Sequence, residues 1–296
     1  PQAQQPQPLQ FNYASIDNRR PLAASPGFWG AIGLGILIAL VCIGLGVLAI
    51  QNDQATPAIF LFVASILGVV PVSLYKTRYL NDVMALFARD NNMQYLPQTL
   101  SNAVFSEQTS LVFSVATIFE GRLVAQDRAF SELGNCQFML DDTSSVGDKI
   151  ISYTSKNGNM RQYIWGFMRV KLPRQVPRVL LDTIAIKNFG FSELQLQIDK
   201  SQRLSLEGGL DNYFALYAPL DYAQDAYYIF RPSVLQFISS CQNPYCVELV
   251  GDDLYIYTPK KINFLDKMQI EQMATLAIGL KAAFYATTKN YKDSFK

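Results

Sequence analysis

Two long apolar runs near the N-terminus constrain the fold of this chain more than any other feature. Phe28 to Ile50 is an uncharged run of 23 residues, and Pro57 to Tyr75 is a second run of 19. About 20 helical residues cross a hydrocarbon core roughly 30 Å thick, so each run is long enough to span a bilayer. Because lipid offers no hydrogen-bond partner to a backbone, both runs are predicted to be helices. The short connection between them predicts an antiparallel transmembrane hairpin.

Charged residues beside the two runs predict the orientation of this hairpin. Arg19 and Arg20 precede the first run, Lys76 and Arg78 follow the second, and the connection carries only Asp53. Basic residues are retained on the cytoplasmic side of a membrane, so both termini are expected there. The same side holds the aromatic residues that prefer a membrane interface: Trp29, Tyr75 and Tyr79.

Small residues recur every four positions in the first run: Ala31, Gly35 and Ala39. This spacing places them on one helix face, where another helix can approach closely. The partner is either the second run of the same chain, which the short connection favours, or a neighbouring copy in a homo-oligomer. Pro71 in the second run predicts a kink, because it frees the carbonyl group near Leu67.

Composition divides the chain into three parts. Residues 1–27 begin with a Pro/Gln-rich tract and hold few large apolar groups, which predicts a disordered tail. The hairpin occupies 28–75, as spans 28–50 and 57–75. Residues 76–296 carry 23 basic and 22 acidic side chains, typical of a soluble domain, here a cytoplasmic one. This balance gives no basic stripe, so no nucleic-acid partner is expected.

Hydrophobic periodicity predicts an α+β domain, mostly antiparallel, with helices at both ends. Leu80, Val83, Met84 and Phe87 predict an amphipathic helix that ends at Asn91-Asn92. A long C-terminal helix is predicted from Asp266, as its N-cap, to about Asn290, with a buried face of Ile270, Met273, Ala274, Ala277, Leu280 and Phe284.

Between these helices the pattern is typical of strands. The predicted strands are Ile150–Thr154, Gln162–Val170, Val179–Leu181, Asp211–Tyr217, Tyr245–Val250 and Leu254–Tyr257. Asn157-Gly158 and Gly251-Asp252-Asp253 are predicted to be the turns of two hairpins. Ser233–Ser240 is predicted to be a short helix, and Ser110–Phe119 is ambiguous between strand and helix.

The sequence offers little chemistry. It has no histidine, which removes the commonest metal ligand and general base, and its four cysteines are predicted to be reduced. Gly251-Asp252-Asp253 resembles the metal-binding hairpin of template-dependent polymerases, but turn chemistry explains it better. Asp141 and Asp142 with Asp148 are interpreted as a solvated loop. No cofactor, metal or catalytic residue is predicted.

Two further groups of residues allow both a functional and a structural interpretation. Asp221 and Asp225 could pair as the carboxylates of a hydrolase, but no third carboxylate is placed by spacing. An aromatic run is interpreted as sheet core rather than a ligand platform. It comprises Tyr213, Phe214, Tyr217, Tyr222, Tyr227, Tyr228 and Phe230.

Several segments between Lys171 and Thr258 resemble a family of uncharacterised bacterial membrane proteins. They are Leu172-Pro173 with Pro177, Leu180-Leu181-Asp182, the segment from Gln202 to Gly208, Tyr213 to Pro219, Asp225 to Pro232, and Val247 to Asp252. That family has two N-terminal spans and one cytoplasmic α+β domain, so the resemblance implies a bacterial inner (plasma) membrane location. It implies no activity or cofactor, and Gly209 stands where an acidic residue is expected.

These observations predict a membrane-anchored, non-enzymatic domain that binds or scaffolds a protein partner in the cytoplasm. The possible partners are a different protein, a second copy of the chain, and the lipid bilayer itself. A membrane-associated, metal-dependent hydrolase or transferase that uses Asp and Glu is the main alternative. An accessory subunit of a transporter or secretion machine is a third possibility and differs from the first only in its partner.

Overall fold

The computed structural model describes residues 11–52, 66–100, 118–125, 130–141, 160–183, 202–241 and 244–288, together with 59, 61, 64 and 109. These residues fall into two compact units. The helical unit is Asn12–Asn91, and the sheet unit is Asn92–Lys296 with Phe11 added.

The helical unit contains α1 (Ala14–Asp17), α2 (Pro26–Gln51) and α3 (Val70–Asp90). With 26 residues at about 1.5 Å each, α2 is roughly 39 Å long. Most of its side chains are exposed, with a narrow half-buried stripe that includes Ile32, Ala39 and Cys42. Among the described residues, α2 is the one helix long and apolar enough to cross a membrane.

Within the described residues, the second run, predicted to span the membrane over 57–75, does not give a clear second spanning helix. A 3-10 segment occupies Ile66–Val69, and α3 begins only at Val70 and continues to Asp90, well past the predicted end. Pro71 explains the change, because it lacks an N–H and favours the first turn of a new helix. The 3-10 segment includes Leu67, where a freed carbonyl group was predicted.

The tail predicted to be disordered contains ordered structure in residues 12–25. Asn12 and Asn91 exchange hydrogen bonds of 2.8 and 2.9 Å, and Tyr13 stacks on Phe87 with ring centroids 5.6 Å apart. Ile16 in α1 is only 1% exposed. A few specific contacts with α3 therefore hold a segment whose composition alone indicates disorder.

The prediction for the C-terminal half of α3 is confirmed. Val83, Met84 and Phe87 are buried, and the helix ends at Asp90. Asn92 has φ +54°, a left-handed conformation that asparagine tolerates better than most residues.

Within the described residues, the sheet unit consists of an antiparallel sheet and three α-helices. Its strands are β1 (Met93–Leu100), β2 (Ile118–Ala125), β3 (Glu132–Asp141), β4 (Met160–Thr183), β5 (Arg203–Leu204), β6 (Phe214–Tyr217) and β7 (Cys246–Thr258). The strand order is β1-β2-β3-β4-β6-β5, and β7 also pairs with β4. The helices are α4 (Ala223–Ile229), α5 (Pro232–Ser239) and α6 (Lys267–Thr288). This arrangement confirms the α+β class.

The long strand β4 organises the sheet. Its first half pairs with β3 on one side and with the second half of β7 on the other. Its second half pairs with β6 and with the first half of β7. Register shifts separate the halves between Lys171 and Val179, where Pro173 and Pro177 cannot donate to the ladder.

The predicted hairpin at Gly251-Asp252-Asp253 is wrong, because these residues lie inside the continuous strand β7. Gly251 pairs with Val176 and Asp253 with Lys171, so the ladder with β4 continues on both sides. Gly251 has φ +61°, a left-handed conformation within the strand, at the place where the register between β4 and β7 shifts.

Most other described elements fall close to their predicted positions. Two predicted strands, 162–170 and 179–181, are parts of β4, and the C-terminal helix has its predicted buried face. Asp266 caps α6 through the N–H groups of Met268 and Gln269. The strands β1, β2 and β3 were not predicted, and Ile150–Thr154 and Asn157-Gly158 lie outside the described residues.

Candidate functional site

The predicted small-residue stripe lies at a close approach between two parts of the helical unit. A Cβ atom added to Gly35 would lie 2.1 Å from the carbonyl oxygen of Gly68. The reverse distance, from a Cβ on Gly68 to the Gly35 oxygen, would be 2.4 Å, and the Ala39 Cβ would lie 3.3 Å away. Ala31, the third stripe residue, is half-buried. The two backbones meet at this point because neither glycine has a side chain.

In the sheet unit, charged side chains form a continuous chain of ion pairs across four strands. Glu132 on β3 is paired with Arg122 on β2, with 2.7 Å between Oε1 and the guanidinium. Arg169 on β4 lies opposite Glu132, with 3.9 Å between the charged atoms, and its Nε is 2.9 Å from Asp253 on β7. Lys171 then contacts Asp253 again, also at 2.9 Å.

This chain ends at the surface. Asp252 lies 2.9 Å from the Lys171 Nζ, and both side chains are about half exposed. The inner members are buried, with 6% and 8% of the Glu132 and Asp253 side chains exposed. Buried carboxylates are tolerated when they are paired and hydrogen-bonded, and these two are.

A second ion pair lies in the other half of the β4–β7 ribbon. Glu248 is fully buried and lies 3.0 Å from the Arg178 guanidinium. The Tyr257 hydroxyl donates a hydrogen bond of 2.9 Å to the same carboxylate. In a straight strand Glu248 and Tyr257, nine positions apart, would be separated by about 30 Å. The contact therefore requires β7 to bend sharply, and Gly251, with its positive φ, lies between the two residues.

The pKa directions show how this interior disfavours additional charge. Burial raises the pKa of Glu132, although Arg122 and Arg169 oppose the shift. Burial and the Glu248 carboxylate raise the pKa of Tyr257 well above its usual value, and burial with Glu120 raises the pKa of Tyr95 to about 12. Both tyrosines are therefore protonated at neutral pH, and the Tyr257 hydroxyl acts as a hydrogen-bond donor.

The cysteines show no nucleophile. All four are free thiols, as predicted. Burial raises the pKa of Cys136 and of Cys241, and burial together with Asp182 raises the pKa of Cys246. The Cys246 thiol donates to the Asp182 carboxylate at 3.3 Å. A thiol with a raised pKa has little thiolate at neutral pH and is a weak nucleophile.

The acidic residues considered as cation ligands are not brought together in the described residues. Asp252 and Asp253 are neighbours, but Lys171 and Arg169 already hold them. Asp141 ends β3, while Asp142 and Asp148 lie outside the described residues. The described part of the chain has no group of three Cys, Asp or Glu residues placed to hold a metal ion.

The aromatic run is divided between core and surface. Phe214 and Tyr217 on β6 are buried, as the sheet-core interpretation predicts, whereas Phe230 is buried at the C-terminal end of α4 and not in the sheet. Tyr213 and Tyr228, in contrast, are 58% and 61% exposed. Tyr227 and Leu220 belong to the same exposed group, at 42% and 65%. We call these four exposed side chains the tyrosine surface: Tyr213, Leu220, Tyr227 and Tyr228.

Hydrogen bonds connect the tyrosine surface to one loop. The Tyr227 hydroxyl donates to the Ser205 carbonyl oxygen at 2.9 Å, and the Ser205 hydroxyl donates to Asp211 at 3.1 Å. Asp211 lies two residues before Tyr213, so these hydrogen bonds connect Tyr227 to the segment that leads to Tyr213. Asp221 and Asp225, the carboxylates considered for a hydrolase, belong to the same region, on the segment that leads into α4 and on α4 itself.

The sequence alone did not indicate the ion-pair residues, which are Arg122, Glu132, Arg169, Arg178 and Glu248. Each of these residues lies in a strand that also carries large buried side chains. For Glu248 and Arg169, the one sequence feature that indicated burial was their position within an apolar run. A buried charge in such a run is informative only when its partner is known, and these partners are 10 to 84 residues away.

Comparison of the chain with protein-family models, with curated proteins and with solved structures finds no match.

Proposed function

We propose that this chain is a membrane-anchored, non-enzymatic domain that binds a protein partner through its sheet unit, on the cytoplasmic side of a bacterial inner membrane. The observation that carries the proposal is the distribution of exposed large apolar side chains. Along α2 they include Leu34, Leu37, Leu40, Leu45 and Leu48, all between 48% and 62% exposed. Such a surface is unfavourable in water and favourable in lipid.

In the sheet unit, the exposed large apolar side chains include the tyrosine surface. Tyrosine is enriched at protein interfaces because it combines a large apolar area with a polar group. Its neighbours Glu207 and Asp221 are exposed acidic residues, and Asp225 is half-buried nearby. Basic residues on a partner segment can pair with these carboxylates.

The charged groups support a binding role over a catalytic one. Arg122, Glu132, Arg169 and Asp253 neutralise one another within the sheet, and Arg178 does the same for Glu248. Catalytic carboxylates need access to substrate, whereas these are committed to structural pairs. A metal-dependent hydrolase or transferase has no carboxylate cluster among the described residues to carry it.

Site-specific photocrosslinking in native membranes tests this proposal. A benzophenone amino acid replaces Tyr228 in one variant and Tyr285 in a matched control, since Tyr285 is also exposed, at 47%, but lies on α6. We expect a discrete adduct with a second polypeptide from position 228 only, weakened by Asp221→Asn and by high salt.

The masses of the adducts separate the alternatives. An adduct of twice the chain mass would identify the partner as a second copy, and mass spectrometry would identify a transporter or secretion subunit. Absence of any adduct from positions 213, 227 and 228 would refute the tyrosine surface as a binding site. Loss of the protein from the membrane fraction would refute the anchor.

A further inference from the structure

The helical unit places three exposed basic residues at one level beside its aromatic residues. The hydroxyl groups of Tyr75 and Ser25 hydrogen-bond each other, and the Tyr79 hydroxyl donates to the Arg20 carbonyl oxygen. The turn of α3 from Tyr75 to Tyr79 is thereby held against the segment that leads into α2. Arg20, Lys76 and Arg78 are exposed at this level, and we call them the basic collar.

Helix geometry separates the members of the collar. At 100° per residue, Lys76 and Arg78 lie about 80° to either side of the stripe formed by Tyr75 and Tyr79. Since that stripe faces the segment before α2, the two cations flank the contact on opposite sides. Arg20 is fixed beside Tyr79 through its backbone. The positive charge is therefore spread around the helix pair rather than gathered in one pocket.

The members of the basic collar have no carboxylate partner within the described part of the chain. Asp82 follows Arg78 by one helical turn but forms no ion pair with it, and Arg89 pairs instead with Asp90. This differs from the sheet unit, where Arg122, Arg169, Lys171 and Arg178 are all paired. The collar cations are available to an anion outside the chain.

Trp29 indicates which kind of anion fits. Its ring is 61% exposed and its Nε1 donates to the Ala23 carbonyl oxygen at 2.7 Å, so the indole is oriented at the start of α2. An oriented indole between basic residues and the exposed apolar surface of α2 matches the headgroup level of a bilayer. We infer that the basic collar binds the headgroups of anionic phospholipids, an inference that rests on the membrane anchoring in the proposed function.

Quenching of Trp29 fluorescence by brominated lipids measures this binding in the full-length protein. Each basic residue near an anionic surface contributes about fivefold in affinity, equivalent to about 1 kcal/mol. We expect brominated phosphatidylglycerol to quench at a mole fraction at least fivefold lower than brominated phosphatidylcholine. Trp29→Phe should abolish this quenching, because Trp165, the second tryptophan, is buried in the sheet unit.

Charge variants test the residues. The triple variant Arg20→Gln, Lys76→Gln and Arg78→Gln should quench equally with both lipids, and circular dichroism should show unchanged helix content. Arg89→Gln, an exposed position on the same helix, should keep the preference. Equal quenching in the wild type, or a preference that survives the triple substitution, would overturn the inference.

Two further outcomes are decisive. If millimolar glycerol phosphate removed the preference, the collar would be a site for free phosphate, and the lipid inference would be wrong. If neither brominated lipid quenched Trp29 and the protein failed to float with vesicles, the membrane anchor itself would be refuted. Insertion without a lipid preference would refute the collar alone.

Discussion

The close approach of Gly35 and Gly68 makes a quantitative prediction about alanine at position 35. An added Cβ would lie 2.1 Å from the Gly68 carbonyl oxygen, whereas ordinary van der Waals contact begins at 3.4 Å. The two backbones would have to separate by about 1.3 Å, and such overpacking costs typically about 1–3 kcal/mol. We therefore expect Gly35→Ala to lower the free energy of unfolding.

Gly33→Ala is the matched control for this substitution. Gly33 lies on the same helix, and nothing lies within 4 Å of a Cβ added there. Both substitutions gain the same helix propensity of about 1 kcal/mol, so the difference between the two variants isolates the overpacking cost. That difference should be about 1–3 kcal/mol, measured by denaturant titration in detergent micelles.

The mass of the solubilised particle completes the test. Gly35→Leu should reduce stability and expression without changing the oligomeric mass, because the contact joins two parts of one chain. Conversion of a larger species into folded monomers would show that neighbouring copies pack on the stripe instead. Equal stability of Gly35→Ala and Gly33→Ala would refute the close approach.

Four further substitutions test the ion pairs of the sheet unit by urea titration and thermal denaturation. Glu248→Gln should lower the free energy of unfolding by about 3 kcal/mol, because it leaves the Arg178 charge without its buried partner; a neutral effect would contradict this. Asp253→Asn should cost about 1–3 kcal/mol, while Asp252→Asn, at the exposed end of the chain, should be close to neutral. Equal effects at 252 and 253 would argue against the difference in burial. The raised pKa of Glu132 means that the folded protein holds this proton more tightly than the unfolded chain, so this residue's contribution to stability falls as pH rises above about 4.5. As pH rises above about 4.5, the difference in unfolding free energy between Glu132→Gln and the wild type should therefore change in favour of the variant. A difference that does not depend on pH would refute the raised pKa of Glu132.

The sequence predicted well wherever one helix face carried the signal. Residues Ile270 to Phe284 repeat at helical spacing, and α6 buries all of the predicted positions. The termination of α3 at Asn91-Asn92 was also predictable, since it depends on local backbone preference. In each case neighbouring residues in the chain decide the structure.

Predictions were wrong or absent where a distant partner decides the structure. The strands β1 and β2 contain Pro97 and Gly121, which ordinarily interrupt strands, yet pairing along most of their length holds both in the sheet. The edge position of β1 tolerates Pro97, and Gly121 lies at a register shift between β2 and β3 with φ +61°. Neither fact can be read from the segments alone.

The bend of β7 involves both a buried ion pair and the positive φ of Gly251. Gly251 allows the backbone to turn within the strand, but φ +61° at one residue does not by itself fix the direction of a bend. The hydrogen bond from Tyr257 to Glu248 spans that bend, and Arg178 on β4 neutralises the carboxylate that accepts it. The Glu248 carboxylate therefore accepts the Tyr257 hydrogen bond only when β7 is bent. An apolar residue at position 248 would accept no hydrogen bond, so this contribution to the bend would be lost. In the sequence, this segment consists of two apolar stretches separated by Gly251-Asp252-Asp253. A hairpin turn was therefore the simpler prediction.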